Sequence, residues 1–306
     1  MQPFRGIAFK IASVCIFVAM ASLIKATSEH VPPGQAVFFR SFFAIPVIIV
    51  WLAVRKELGS GLKTDNPMGH LWRGLIGTTA MGLGYAGLGL LPLPEVTAIG
   101  YAAPLLVVVF AAMFLNENVR LFRLSSVALG MIGVMIVLSP RLSVGADLST
   151  RETLGAVVVL GSAIFAALAQ VFVRKLVQTE GTAAIVFWFS VTATCLSLLT
   201  IFWGWVWPSP REAAFLVLAG VLGGIGQILL TTSYRHADAS LIAPFEYTSM
   251  LLAIGVGFFV FDEVPTTTMM IGAAIIIAAG VAIILRERYL GLERARQRKA
   301  MPPSNA

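Results

Sequence analysis

The sequence predicts an all-α integral membrane protein of ten transmembrane helices, built as two inverted five-helix repeats. Three observations lead there. Of 306 residues, 58% are hydrophobic and 12% charged, with a mean hydropathy of +0.88. A soluble domain averages about 45–50% apolar and about 25% charged, so this much apolar surface exceeds what one water-soluble core can hide. Second, the apolar residues fall in blocks of spanning length, ~20 residues each. Third, the chain echoes itself. Leu91–Val119 and Ala237–Pro265 each read as a polar turn, an apolar segment and an acidic stop, Asn116-Glu117 in one and Asp262-Glu263 in the other. A shift of 146 positions, the difference between 247 and 101, carries Tyr101 onto Tyr247 and Glu117 onto Glu263. The same shift carries Gly74 onto Gly220 and Gly77 onto Gly223.

Taken in order, the expected spans cover 5–27, 36–55, 70–90, 95–115, 122–140, 153–175, 182–206, 212–234, 239–261 and 267–285. Arg5 and Lys10 at the head of the first resemble a signal peptide. Its apolar run is long and no small-residue cleavage site follows, so it reads as a retained span. Short connections carry helix punctuation at Pro32-Pro33-Gly34, Pro92 with Pro94, Pro208 with Pro210, and Pro265. The repeats are expected over 1–141 and 153–286, followed by a basic tail over 287–306. With the amino terminus inside, Lys25, Arg141, Arg151 and Arg211 fall on outer regions and Arg40 falls within a span. The rest of the 22 Lys and Arg lie inside, which predicts cytoplasmic termini. This positive-inside pattern also accounts for the formal charge of +7 without a nucleic-acid partner. Cys15 and Cys195 lie in apolar segments, so no disulfide framework is expected. Five spans are an odd number, so the second copy sits upside down relative to the first. Repeats inverted in this way recur in secondary transporters, with substrate sites near the midplane between them.

Further residues carry a resemblance. FFRSFF at 38–43, the run from Gly74 through Gly89, and APLLVVVFAAMFLNENV at 103–119 mark the first half. YRHADASLIAPFEYTSMLLAIGVGFFVFDEVP at 234–265 and Gly272 through Gly280 mark the second. Over about residues 5–288 the chain resembles the drug/metabolite transporter superfamily, specifically its ten-span EamA-type members. One departure is Ser126, which stands after Glu117 where Gly272 stands after Glu263. The resemblance implies a secondary carrier in a bacterial-type inner membrane, working by alternating access, with or without proton coupling. Members serve amino acids, S-adenosylmethionine, riboflavin, sugars and other metabolites. An amino acid or derivative is the favoured solute here, with S-adenosylmethionine or a vitamin such as riboflavin as the alternative. A non-transporting sensor or accessory subunit is the reading from a different class.

Ionisable residues within spans are costly and are functional candidates by default. Arg40 sits among Phe38, Phe39, Phe42 and Phe43; it must reach outward, pair with an acid or meet an anionic substrate. Glu246 follows Pro244, which removes a helical hydrogen bond, so its carboxylate is the candidate for a cationic group or a coupled proton. The structural alternative for both is an ion pair. Tyr101 and Tyr247, equivalent in the two copies, offer a ring and a hydroxyl to a central cavity or belong to an interfacial aromatic belt. Tyr85, Gln170, Gln227 and Thr231 are further polar pathway candidates that could equally hydrogen-bond between helices. Lys25 reads as a snorkelling anchor, and Glu117 and Glu263 as caps of the spans that follow them. Gly74, Thr78, Gly82 and Ala86 form a small-residue packing row. His30, His70 and His236 form no cluster, and no HExxH, GxSxG or Walker-type loop occurs. No enzymatic activity, cofactor or metal site is therefore expected. The partners expected are a small-molecule substrate and the lipid bilayer.

Overall fold

Prolines begin many of these helices, in first turns where a missing N–H would be unpaired anyway: Pro33, Pro67, Pro94 and Pro210. Asn66 adds a cap, its side-chain oxygen accepting the Gly69 N–H at 2.9 Å. Ser209 and Glu212 form a reciprocal capping box: Ser209 N–H donates to Glu212 Oε2 at 2.7 Å, and Glu212 N–H donates to Ser209 Oγ at 3.3 Å. The computed structural model describes residues 3–115, 121–142, 150–176, 179–236 and 243–300, and every regular element among them is helical.

In chain order these are α1 (Pro3–Thr27), α2 (Pro33–Val54), the one-turn α3 (Leu58–Gly61), α4 (Pro67–Leu90), α5 (Leu93–Gly100), α6 (Ala102–Leu115), α7 (Leu121–Leu142), α8 (Thr150–Leu176), α9 (Thr182–Leu198) and α10 (Pro210–His236). They are followed by α11 (Thr248–Phe261) and α12 (Thr267–Ala300). A 3-10 turn, Leu199–Trp203, follows α9, and another, Ala243–Tyr247, leads into α11. Eight segments are long and apolar enough to cross a membrane, and Phe245–Phe261 is a shorter apolar helix. α4 has the length, 24 residues, but its glycines dilute its apolarity. The joined α5–α6 pair is one of the eight, and with the shorter helix and α4 these make the ten spans. The fourth span, expected to be continuous over 95–115, is interrupted at Tyr101. The last helix runs on to Ala300, through most of the expected tail. Asn116-Glu117, and the expected start of the ninth span at 239–242, lie outside the described residues.

The helices pair across the two halves. α1 packs on α10, α4 on α8, α2 on α9, α7 on α12 and α5 on α11. Exchanging the halves turns the α1–α10 pair into the α8–α4 pair and leaves the other three pairs in place, as a two-fold axis in the membrane plane requires. Close approach depends on small residues, because apolar side chains gain little by leaving lipid for each other. At the α7–α12 crossing a Cβ on Gly133 would stand 2.8 Å from the Gly272 carbonyl oxygen, and one on Gly272 would stand 2.7 Å from the Gly133 carbonyl oxygen. One buried core joins α5, α6, α7 and α8 to α11 and α12, and a second joins α1, α2, α4 and α10. Large apolar side chains such as Phe202, Trp203, Phe258 and Phe259 face outward, where lipid is their solvent.

Candidate functional site

Two groups of polar residues lie inside this bundle. The first is built where the fourth and ninth spans break. Pro104 lacks the N–H that would close onto the Gly100 carbonyl, and the chain turns at Tyr101 between α5 and α6. In the second half the 3-10 turn ends at Tyr247 and α11 begins. Both breaks thus fall at positions related by the internal shift, and the two rings meet edge to face, centroids 5.1 Å apart at 69°. The Tyr101 hydroxyl bonds to that of Ser249, which donates to the Glu246 carbonyl at 2.7 Å. A Cβ on Gly280 of α12 would lie 1.6 Å from Tyr247 Oη, so glycine there makes room for the ring. Glu246 does not pair with Arg40. Its partner is Lys10 of α1, whose side chain is 2% exposed against 50% for Glu246. Lys10, read from sequence as a residue flanking the first span, is therefore inside the bundle.

The second group lies between α2, α4, α9 and α10. Arg40 is 7% exposed and stands over the Phe189 ring, 5.9 Å from its centroid. Arg73 of α4 stands over the same ring at 3.9 Å. Sequence reading counted Arg73 only among the inner basic residues, at the edge of the third span. The signal that could have found it is Gly77 one turn on, where a Cβ would strike the Arg73 guanidinium at 2.3 Å. Its equivalent, Gly223, makes the same room for Arg40, whose Nε would lie 3.0 Å from a Cβ there. Tyr85 is buried nearby and feels the Arg40 charge. Gln227 is half-buried one turn beyond Gly223. Gln170 is exposed on α8 and joins neither group. The side chain of Thr231 lies outside the described residues.

Ion pairs close one end of the bundle. Lys25 is no lone anchor: its ammonium pairs with Glu263 at 2.8 Å and donates to the Leu88 and Leu91 carbonyls at 3.1 and 2.9 Å. Glu263 caps α5 rather than the span after it, accepting the Leu93 N–H at 2.8 Å. Beside them Arg141 holds Glu95 at 2.9 Å and also pairs with Glu152. At the other end Glu180 gathers the loop before α4, accepting the Asp65 and Asn66 N–H groups at 2.9 Å and the Thr64 hydroxyl at 3.0 Å. Burial pushes the Glu180 carboxyl upward, but the bonds from Asp65, Thr64, His70 and Asn66 outweigh it and hold the group below its ordinary value.

Interrupted spans that meet at the interface of two repeats are the layout of membrane transporters that move solutes past a midplane site. The class is a multi-pass transporter. The EamA-like transporter family pattern matches residues 4–139 and again 153–286, and the chain belongs to that family. A pseudopaline exporter of Pseudomonas aeruginosa is 28% identical over 279 residues, 91% of this chain and 95% of the relative. An S-adenosylmethionine uptake transporter of Rickettsia bellii is 28% identical over 283 residues, 92% of this chain and 94% of the relative. A crystal structure covering 93% of this chain and 98% of its own superposes with a TM-score of 0.65 at 20% identity, which shows the fold alone.

Proposed function

We propose that this transporter is a secondary carrier for a small polar metabolite, an amino acid or derivative in the first instance, working by alternating access. The repeats are 1–141 and 153–286, ahead of a basic tail over 287–306, in a bacterial inner membrane with both termini cytoplasmic. The observation that carries the reading is the meeting of the two broken spans at Tyr101 and Tyr247, with the Lys10–Glu246 pair beside them. A break frees backbone groups for a ligand, and a carboxylate half-open to water can exchange a proton or receive an amino group. Glu246 is the proposed proton-coupling residue, and Arg40, Tyr85, Tyr101, Gln227 and Tyr247 belong to the proposed pathway with it. Gln170 and Thr231 complete the set named from sequence.

The second reading, S-adenosylmethionine or a vitamin, is supported by the relative named an S-adenosylmethionine uptake transporter. The test is uptake into proteoliposomes of a labelled metabolite pool that includes S-adenosylmethionine and riboflavin, with and without a pH gradient and with solute loaded on either side. Wild type is expected to move at least one solute, and Glu246→Gln to keep that flux while losing its dependence on the gradient. Absence of any flux through folded, correctly inserted protein would sink the carrier reading in favour of a sensor or accessory subunit.

A further inference from the structure

We infer that Arg40 and Arg73 together form a binding site for an oxyanion of the transported solute, a carboxylate, between α2, α4 and α9. The assignment rests on the carrier reading and narrows the solute to one with such a group. Arg40 Nε, and both Nε and Nη1 of Arg73, are sealed from solvent without a hydrogen-bond partner. No carboxylate pairs with either residue among the described residues. The Thr78 hydroxyl on α4 is likewise buried and unpartnered, and the buried Tyr85 hydroxyl lies beside the Arg40 guanidinium. Both cations stand over the Phe189 ring, but a ring quadrupole offsets a guanidinium charge only in part, and the two arginines repel each other.

Depth adds to the case. At 1.5 Å per residue, Arg40 lies about 10 Å along α2 from Pro33 and Arg73 about 9 Å along α4 from Pro67. Consecutive spans enter the layer from opposite faces, so two arginines from opposite sides converge on one ring. Uncompensated charge at such depth is costly and marks function. A guanidinium fork matches a carboxylate with two parallel hydrogen bonds. Two such forks over one ring are placed to share one carboxylate. A cationic solute is repelled here, and a neutral one leaves both charges unpaired. The glycines at 77 and 223 make the room. A lipid phosphate offers the same oxyanion chemistry, so the test separates the two sources.

Full-length protein in phosphatidylcholine nanodiscs is heated in the presence of each L-amino acid and of benzoate, and separately with the matching carboxamides. At least one carboxylate is expected to raise the unfolding midpoint while its carboxamide does not, and the rise is lost in Arg40→Gln and Arg73→Gln. Without ligand, Arg73→Gln is expected to unfold at the wild-type temperature or above, because it removes an unpaired buried charge. A lowered midpoint in both ligand-free variants would mark structural arginines. The assignment is overturned if no carboxylate acts, if acid and amide act alike, or if the discrimination survives both substitutions. It is also overturned if doping with phosphatidylglycerol gives the rise and the carboxylates do not. In proteoliposomes Arg73→Gln is expected to raise half-saturation at least tenfold. Flux without acid–amide discrimination removes this site and keeps the carrier; discrimination without flux keeps the site and removes the carrier.

Discussion

Lys10 and Glu246 are an unequal pair, and the inequality has a measurable consequence. The ammonium is 2% exposed and the carboxylate 50%. Removing the acid strands a buried charge, while removing the base leaves a carboxylate that water can reach. Breaking a buried pair from one side costs about 3–5 kcal/mol when the remaining charge stays buried. Glu246→Gln is therefore expected to lower stability by roughly 3 kcal/mol, and Lys10→Met by less than about 1 kcal/mol. The double variant should recover most of the loss. Chemical unfolding of the four proteins in one detergent measures this, and equal losses in the two single variants would refute the asymmetry. Residue chemistry was only partly legible in the sequence. Arg40 and Glu246 stood out as charges inside apolar runs, and their joint interest followed from that. Their partners did not stand out, because Lys10 and Arg73 each sit within a turn or two of a helix end. There a basic residue in one dimension looks like a solvated flank.

At the scale of elements, apolar length located the spans but not the points where they break. Pro244 marked one break and Pro104 could have marked the other. Even so, a 21-residue apolar run such as 95–115 carries no periodic signal of a mid-span turn, since lipid-facing and core-facing positions are both apolar. Loops were less legible still: the Glu180 latch joins residues far apart in the chain through backbone N–H groups that no side-chain pattern advertises. Its energetics have a definite sign. The folded carboxyl is held below its ordinary value of 4.5, so the latch stabilises fully above that pH and its contribution is lost as pH falls through the lowered folded value. Glu180→Gln is expected to cost about 1–3 kcal/mol at neutral pH. The gap to wild type should stay constant above about pH 5 and shrink below 4.5. Thermal unfolding across that range measures it, and a gap that widens toward acid would contradict the sign.

The whole molecule raises the question of which face is closed. Exchange of the repeats maps the helix pairs onto each other, yet the ion pairs are uneven: Lys25–Glu263 and Arg141 with Glu95 and Glu152 cluster where α1 ends and α5 and α8 begin. Sequence duplication made the symmetric plan legible, but not this asymmetry, because two inverted copies of similar sequence carry no mark of which face a given conformation closes. On the alternating-access reading these pairs latch one face. Glu263 joins Lys25 of the first repeat and the Leu93 N–H to the end of α11, so its loss weakens a tie between the two halves. A half-buried, hydrogen-bonded charge pair of this kind contributes about 1.5–3 kcal/mol, and ~1.4 kcal/mol is a tenfold change in a two-state equilibrium. Ala98, fully buried on α5 behind this latch, is the reporter. In a background lacking Cys15 and Cys195, Ala98→Cys is expected to react with a membrane-impermeant maleimide about tenfold faster when Glu263→Gln is added. Solute on the other side, by favouring the latched face, should slow it again. An unchanged labelling rate would make the cluster static scaffolding, and the closed face would have to be sought where Glu180 ties α4 to α9.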